Sequence, residues 1–140
     1  MTPVPVTTSA LAYGRTLFFF ATGGALGTLL RAWFNYLLPH EPWPWHTFAV
    51  NLLGSLLIGL LLEAGHKVHM HVRAFHAVGF CGGLTTFSAF AVEVVRMLEQ
   101  GQLALALAYI AASVAGCIFA VWAGFRLTGL KFRREMRRPL

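Results

Sequence analysis

The stretch GFCGGLTTFSAFAVEVVRM, residues 79–97, lies in the third of four long apolar segments, yet it mixes a glycine pair, three hydroxyls and an acid. A helix that merely crosses lipid has no use for that mixture, because polar groups in hydrocarbon need partners. Gly82-Gly83 weakens the helix near its middle. Thr85, Thr86 and Ser88 follow, and their hydroxyls can satisfy freed backbone groups. Unwound backbone at membrane depth persists only when buried in protein or lining a cavity, where its carbonyls can bind a cation. Phe87 and Phe90 stand three apart, and Glu93 extends the same face. Two phenylalanines at helical spacing are by themselves ordinary packing. Beside a broken helix and polar stripes, they point to an ion path.

The rest of the chain supplies the membrane setting. Of its 140 residues, 57% are hydrophobic and only 11% charged. Mean hydropathy is +0.66. Long uncharged runs identify lipid as the solvent. The segments cover about 16–38, 47–65, 74–98 and 103–125, each long enough for a helix to cross a hydrocarbon layer of about 30 Å. PHEPWPWH (39–46), HKVHMHVR (66–73) and EQGQ (99–102) connect them. The apolar run after MTPVPVTTSALAYGR is too long for a signal-peptide core and reads as the first span. The expected fold is an all-α membrane protein, one domain over 1–140, with four spans, a broken third helix and both termini on one side.

Charge and cysteine content narrow the classes further. The formal net charge is +6, and six of the eleven Lys and Arg fall in the tail 126–140. A juxtamembrane basic tail near anionic lipid accounts for this without nucleic acid, for which there is no readout module. Cys81 and Cys117 sit inside apolar segments and read as small packing residues rather than a disulfide. His66, His69, His71 and His76 cluster around the second connection and read as solvated loop residues. No nucleophile–base set, phosphate loop or cofactor fingerprint is present, which argues against an enzyme.

Residues four apart share a helix face. Thr47, Asn51 and Ser55 form one stripe, and Tyr109, Ser113 and Cys117 form another. Ala112, Gly116, Ala120 and Gly124 make a small-residue face suited to close helix contact. Ser and Thr in membrane helices often bond their own backbone, so hydroxyl stripes alone are weak signals. Asn51 is a stronger one, because a mid-span amide has four hydrogen-bonding positions to satisfy. Arg31 and Glu93 call for a partner or a wet cavity, although Arg31 is near enough to a helix end to snorkel. Hydroxyl and amide donors with aromatic ring edges suit a small, hard anion, and no ring of acids favours a cation.

GGALGTLLRAWF (23–34), TFAVNLLGSLLIG (47–59) and GFCGGLTTFSAFAVE (79–93) together resemble the CrcB/Fluc family of fluoride channels, in order and spacing. The resemblance, not the composition, names the ion. It implies an antiparallel, dual-topology homodimer with two pores that passively exports toxic fluoride across the bacterial inner membrane. It implies Phe87 and Phe90 as the rings lining the fluoride path and Asn51 as the pore asparagine. Tyr109 and Ser113 become the polar track of the fourth helix, with Cys117 where a further hydroxyl would be wanted. Arg31 matches an arginine near a pore mouth, and Thr47, Thr86, Ser88 and Glu93 are further positions along the path. Gly82 and Thr85 match residues whose carbonyls, from both subunits, hold a central structural Na⁺.

Two expectations compete with parts of this reading. Nine Lys and Arg fall on the side of the termini, against Arg31 and Arg96 on the other, which by itself predicts one orientation. Without the five of the late tail the balance is four against two, and dual topology stays the expectation. The alternative function is a small four-helix, proton-coupled multidrug or cation exporter. That chemistry wants a deep carboxylate, and the first segment has no Asp or Glu, leaving Glu63 and Glu93. A non-transporting interaction subunit would use the small-residue faces but leaves Asn51 and the broken helix unexplained.

Overall fold

The computed structural model describes the backbone of residues 6–64 and 69–136, with side chains for 13–62 and 69–129. Glu63, His66, Lys67 and the end of the basic tail therefore lie outside the described side chains. Helix α1 runs Val6–Leu37 and α2 runs Trp45–Ala64. The third span is composite: α3 (Met70–Arg73), a π-helical stretch (Ala74–Phe80), α4 (Cys81–Leu84) and α5 (Phe87–Glu99). Helix α6 runs Leu103–Met136. Among the described residues, four stretches are long and apolar enough to cross a membrane: Tyr13–Leu37, Trp45–Leu62, Met70–Glu99 and Leu103–Gly129.

Two close helix pairings build the bundle, and glycine makes both possible. Helix α1 lies against the first half of the third span. A Cβ on Gly27 would collide with the Phe80 carbonyl, and one on Gly83 with the Gly24 carbonyl. Helix α2 lies along α6 in the same manner, Gly59 against the Val121 carbonyl and Gly124 against that of Leu56. The small-residue face of α6 thus packs where the sequence places it, with Ala120 buried and Gly116 beside Leu52. Lipid gives helices little hydrophobic reason to associate, so backbone approach of this kind carries the packing.

The buried aromatic core is small. Tyr109, Met97 and Ala106 form it, with Trp43, Phe48 and Phe90 packed around. Trp43 meets Tyr109 edge-on at a centroid distance of 5.2 Å. Many large apolar side chains face outward, among them Leu29, Trp33, Phe119 and Trp122. In hydrocarbon that exposure carries no penalty.

Two boundaries differ from the sequence expectation. Helix α6 does not end near Phe125 but continues to Met136, so the start of the basic tail is helical. At 1.5 Å per residue its 34 residues span about 51 Å, longer than the hydrocarbon layer. The interruption of the third span is also displaced. Gly82 and Gly83 remain helical, and the chain opens at Thr85 (ψ 155°) and Thr86 (φ −149°, ψ 120°). Gly83 serves contact with α1 rather than the break itself.

Candidate functional site

The break at Thr85-Thr86 needs substitutes for lost helical hydrogen bonds, and α2 provides them. Asn51 Oδ1 accepts from the Thr86 N–H at 2.7 Å. Asn51 Nδ2 donates to the Thr86 carbonyl at 3.0 Å. One amide therefore grips both polar groups of the extended residue. Because the Thr86 N–H donates to Asn51, it is withdrawn from the Gly82 carbonyl, its i−4 acceptor in a continuous helix. Thr86 then caps the helix that follows, its hydroxyl accepting from the Ala89 N–H at 3.2 Å and lying 3.2 Å from Ser88 Oγ. Arg31 reaches inward to the same place, with Nη1 3.3 Å from the Thr85 carbonyl it donates to, which resolves its placement against a purely snorkelling side chain.

The break also orients backbone dipoles. A break leaves the last carbonyls of α4 and the first amides of α5 outside the continuous helical ladder. Carbonyls at the first edge favour a cation, and amides at the second favour an anion.

Next to the break lies a cavity of about 410 Å³ lined by Asn51, Thr86, Phe87, Phe90, Ser113 and Cys117, among others. It brings together five of the sequence-derived pathway residues. The Phe87 and Phe90 rings are tilted at 42° with centroids 5.8 Å apart. Phe87 is 80% exposed, so nothing among the described residues packs its outer face. Ser113 is buried, and its hydroxyl has no hydrogen-bond partner among the described residues. Asn51 retains one N–H beyond its bond to Thr86.

A second constellation forms one turn along α2. Thr47 Oγ1 donates to Glu93 Oε1 at 2.6 Å. The Tyr109 hydroxyl donates to Glu93 Oε2 at 2.7 Å. His46 Nε2 lies 3.1 Å from Glu93 Oε1. Glu93 and His46 border a cavity of about 590 Å³ together with Asn35, His40, Glu41 and Arg96. Tyr109 is completely buried, so it stands behind the carboxylate rather than on the open wall shared by Ser113 and Cys117. A third cavity of about 390 Å³ holds Arg31, Thr47, Thr86 and Ser88, and shares His46 and Asn35 with the larger one.

His46 is the residue that sequence reading passes over. It falls at the end of an aromatic and proline-rich connection, and its only signal is adjacency to Thr47 at the head of the polar stripe. His40 lies with it, its ring against that of His46 at 4.2 Å, whereas His69, His71 and His76 line none of these cavities. His71 contacts Thr16 at 3.3 Å and stacks on Phe19, and no group of three metal-ligating side chains occurs among the described residues.

The carbonyls of Gly82 and Thr85, the expected cation ligands, differ in their surroundings. The Gly82 carbonyl has lost its helical donor, and open space surrounds Gly82 where a Cβ would stand. The Thr85 carbonyl accepts from Arg31 and keeps a second lone pair.

Comparison with known proteins adds a family to this geometry. Residues 18–125 match the family described as CrcB-like protein, Camphor Resistance (CrcB). A Pseudomonas fluorescens protein named fluoride-specific ion channel FluC is 50% identical over 118 residues, covering 79% of this chain and 94% of the relative. A protein of the same name from Pseudomonas putida is 50% identical over 116 residues, covering 77% and 92%. Another so named, from Stutzerimonas stutzeri, is 44% identical over 127 residues, covering 83% and 98%.

Proposed function

The chain belongs to the CrcB family, and on that premise we propose that it is a fluoride-specific ion channel, not an enzyme, that lets fluoride leave the cytoplasm passively across the bacterial inner membrane. The observation that carries the reading is the cavity beside the helix break, where an aromatic pair, the Asn51 amide and Ser113 converge. A small anion shedding its water there meets donors and ring edges in place of hydration. Asn51 presents its remaining N–H, held in position because the rest of the amide is fixed to Thr86. Arg31, directed to the break, adds a positive charge next to the route. Thr47, Tyr109 and Glu93 lie further along, and Ser88 and Thr86 edge the neighbouring cavity.

The working unit in this proposal is an antiparallel homodimer. Its support is the open face around the break: Phe87 is exposed at membrane depth, and Gly82 is unshielded. Two chains meeting there in opposite orientation would bring four carbonyls, from Gly82 and Thr85 of each, to one structural Na⁺. That ion would offset the cost of placing anions nearby. Exhaustive removal of Na⁺ is expected to weaken the dimer or its conduction, and unchanged conduction would count against the ion. Labelling of Leu140 from one membrane side only would overturn dual topology.

The decisive experiment is fluoride efflux from liposomes containing the purified protein, read with a fluoride electrode while a potassium ionophore carries compensating charge. Rapid fluoride efflux from loaded vesicles, without chloride efflux, is expected. No fluoride movement from folded dimer would overturn the reading and turn attention to proton-coupled cation export through Glu93.

A further inference from the structure

His46 carries an inference beyond the channel reading, although it rests on that reading. The ring is nearly enclosed, with 11% of its side-chain surface exposed, and Nε2 faces Glu93 Oε1 at 3.1 Å. Its Nδ1 is buried without a hydrogen-bond partner among the described residues. It borders both the 590 Å³ and the 390 Å³ cavities, so it stands in the wall between the outer vestibule and the space beside the break. The His40 ring lies against it at a centroid distance of 4.2 Å, and His40 Nε2 is 3.1 Å from Asn35 Oδ1.

The charges around His46 come from every neighbouring element. Helix α5 contributes Glu93 and Arg96, the α1–α2 connection contributes His40 and Glu41, and α1 contributes Arg31. Helix α6 contributes Tyr109, through its bond to Glu93. Among the described residues, the ion-pair partner at the carboxylate is His46. Thr47 and Tyr109 donate hydrogen bonds but bring no charge. A carboxylate beside an anion route repels the anion, and a neighbouring positive charge offsets that field. Imidazole is the side chain that ordinarily gains or loses its charge between about pH 5 and 8.

We propose that His46 is a proton-switched positioning residue for Glu93, whose protonated form neutralises and fixes the carboxylate so that anions pass faster from an acidic vestibule than from an alkaline one. Protonated His46 donates from Nε2 to the carboxylate and holds it against the Thr47 and Tyr109 side. Neutral His46 keeps at most the hydrogen bond, and the carboxylate's charge then stands uncompensated between the two cavities.

The test is fluoride efflux at a series of equal internal and external pH values from 6 to 8, with leak from protein-free vesicles subtracted. The wild-type rate is expected to fall at least about fivefold across that range. His46→Gln, which retains a donor but not the charge, is expected to give a flat profile near the wild-type alkaline rate. His46→Lys, with a fixed charge, is expected to be flat near the wild-type acid rate. His76→Gln, distant and exposed, controls for general pH effects and should keep the wild-type slope. A flat wild-type profile overturns the proposal, as does a wild-type slope in folded His46→Gln. Absence of fluoride flux at every pH overturns the channel reading itself, an outcome distinct from flux that ignores pH.

Discussion

Helix α2 presents two polar constellations one turn apart, and they solve different problems. Asn51 spends both functional ends of its amide on the backbone of Thr86, so it determines where the third span opens. Thr47 and His46 instead meet a side chain, the Glu93 carboxylate, which Tyr109 holds from α6. The first constellation replaces peptide hydrogen bonds and cannot be loosened without losing the break. The second surrounds a charge and can be adjusted by changing one donor at a time. Structure and tuning are thus separated along a single helix.

The largest effect is expected where the comparison is broken outright. Asn51→Ala leaves the part-buried Thr86 N–H and carbonyl without their side-chain partner. Each unsatisfied group costs about 1–3 kcal/mol. Fluoride efflux should drop to the level of protein-free vesicles, and the protein should denature at lower temperature in detergent. Efflux within about tenfold of wild type, worth about 1.4 kcal/mol in barrier, would mean that the break does not depend on this amide.

The aromatic pair sharpens the distinction, because its members differ in packing although both border one cavity. Phe90 packs on Tyr109 at 5.2 Å, whereas Phe87 is 80% exposed in the chain. Both Phe87→Ile and Phe90→Ile are expected to lower fluoride efflux about tenfold or more, from loss of ring edges. Both lose the Phe87–Phe90 pair, but Phe90→Ile also loses the Tyr109 pair and should lower the stability of the folded chain by about 0.5–1.5 kcal/mol more. Equal destabilisation by both would show that the outer face of Phe87 is covered as tightly by a partner as Phe90 is from within. Tyr109→Phe probes the other constellation: the ring stays, and only the bond to Glu93 is lost. A hydrogen bond to a charged group is worth about 1.5–3 kcal/mol. Efflux should fall less than for Asn51→Ala, with the fold intact by size-exclusion chromatography.

The spans were legible from sequence because hydropathy is local, and so was the small-residue face of α6, because helical spacing alone determines it. The break was legible in existence but not in place. Gly82-Gly83 marks weak helix, yet what opens the chain is a hydrogen-bonding amide 35 residues earlier, acting on Thr86. Gly83 is claimed instead by the approach of α1, which no local pattern announces, while Gly82 faces open space. Arg31 was ambiguous for the same reason: reaching the Thr85 carbonyl rather than the interface depends on how two distant segments dock. His46 looked like connection because its partner lies on another helix. Helix α6 outran its expected end because hydropathy reports where lipid stops, whereas a helix stops only where its backbone loses partners.

Cys117 offers the finest test. It borders the same cavity as Ser113, one turn further along α6, where the stripe would continue with another hydroxyl. A thiol is a weak donor beside a hydroxyl of nearly the same shape. If the path is a ladder of donors, Cys117→Ser adds a rung and should raise fluoride efflux, by no more than about threefold for a neutral hydrogen bond near the low end of about 0.5 kcal/mol. If the cavity wall beyond Ser113 works by excluding water, the added hydroxyl should slow efflux and leave Ser113→Ala with the larger loss. The direction of this small change therefore decides whether the upper stripe of α6 belongs with Asn51 and Ser113 as a donor series or ends at Ser113, with Phe87 and Phe90 carrying the anion onward.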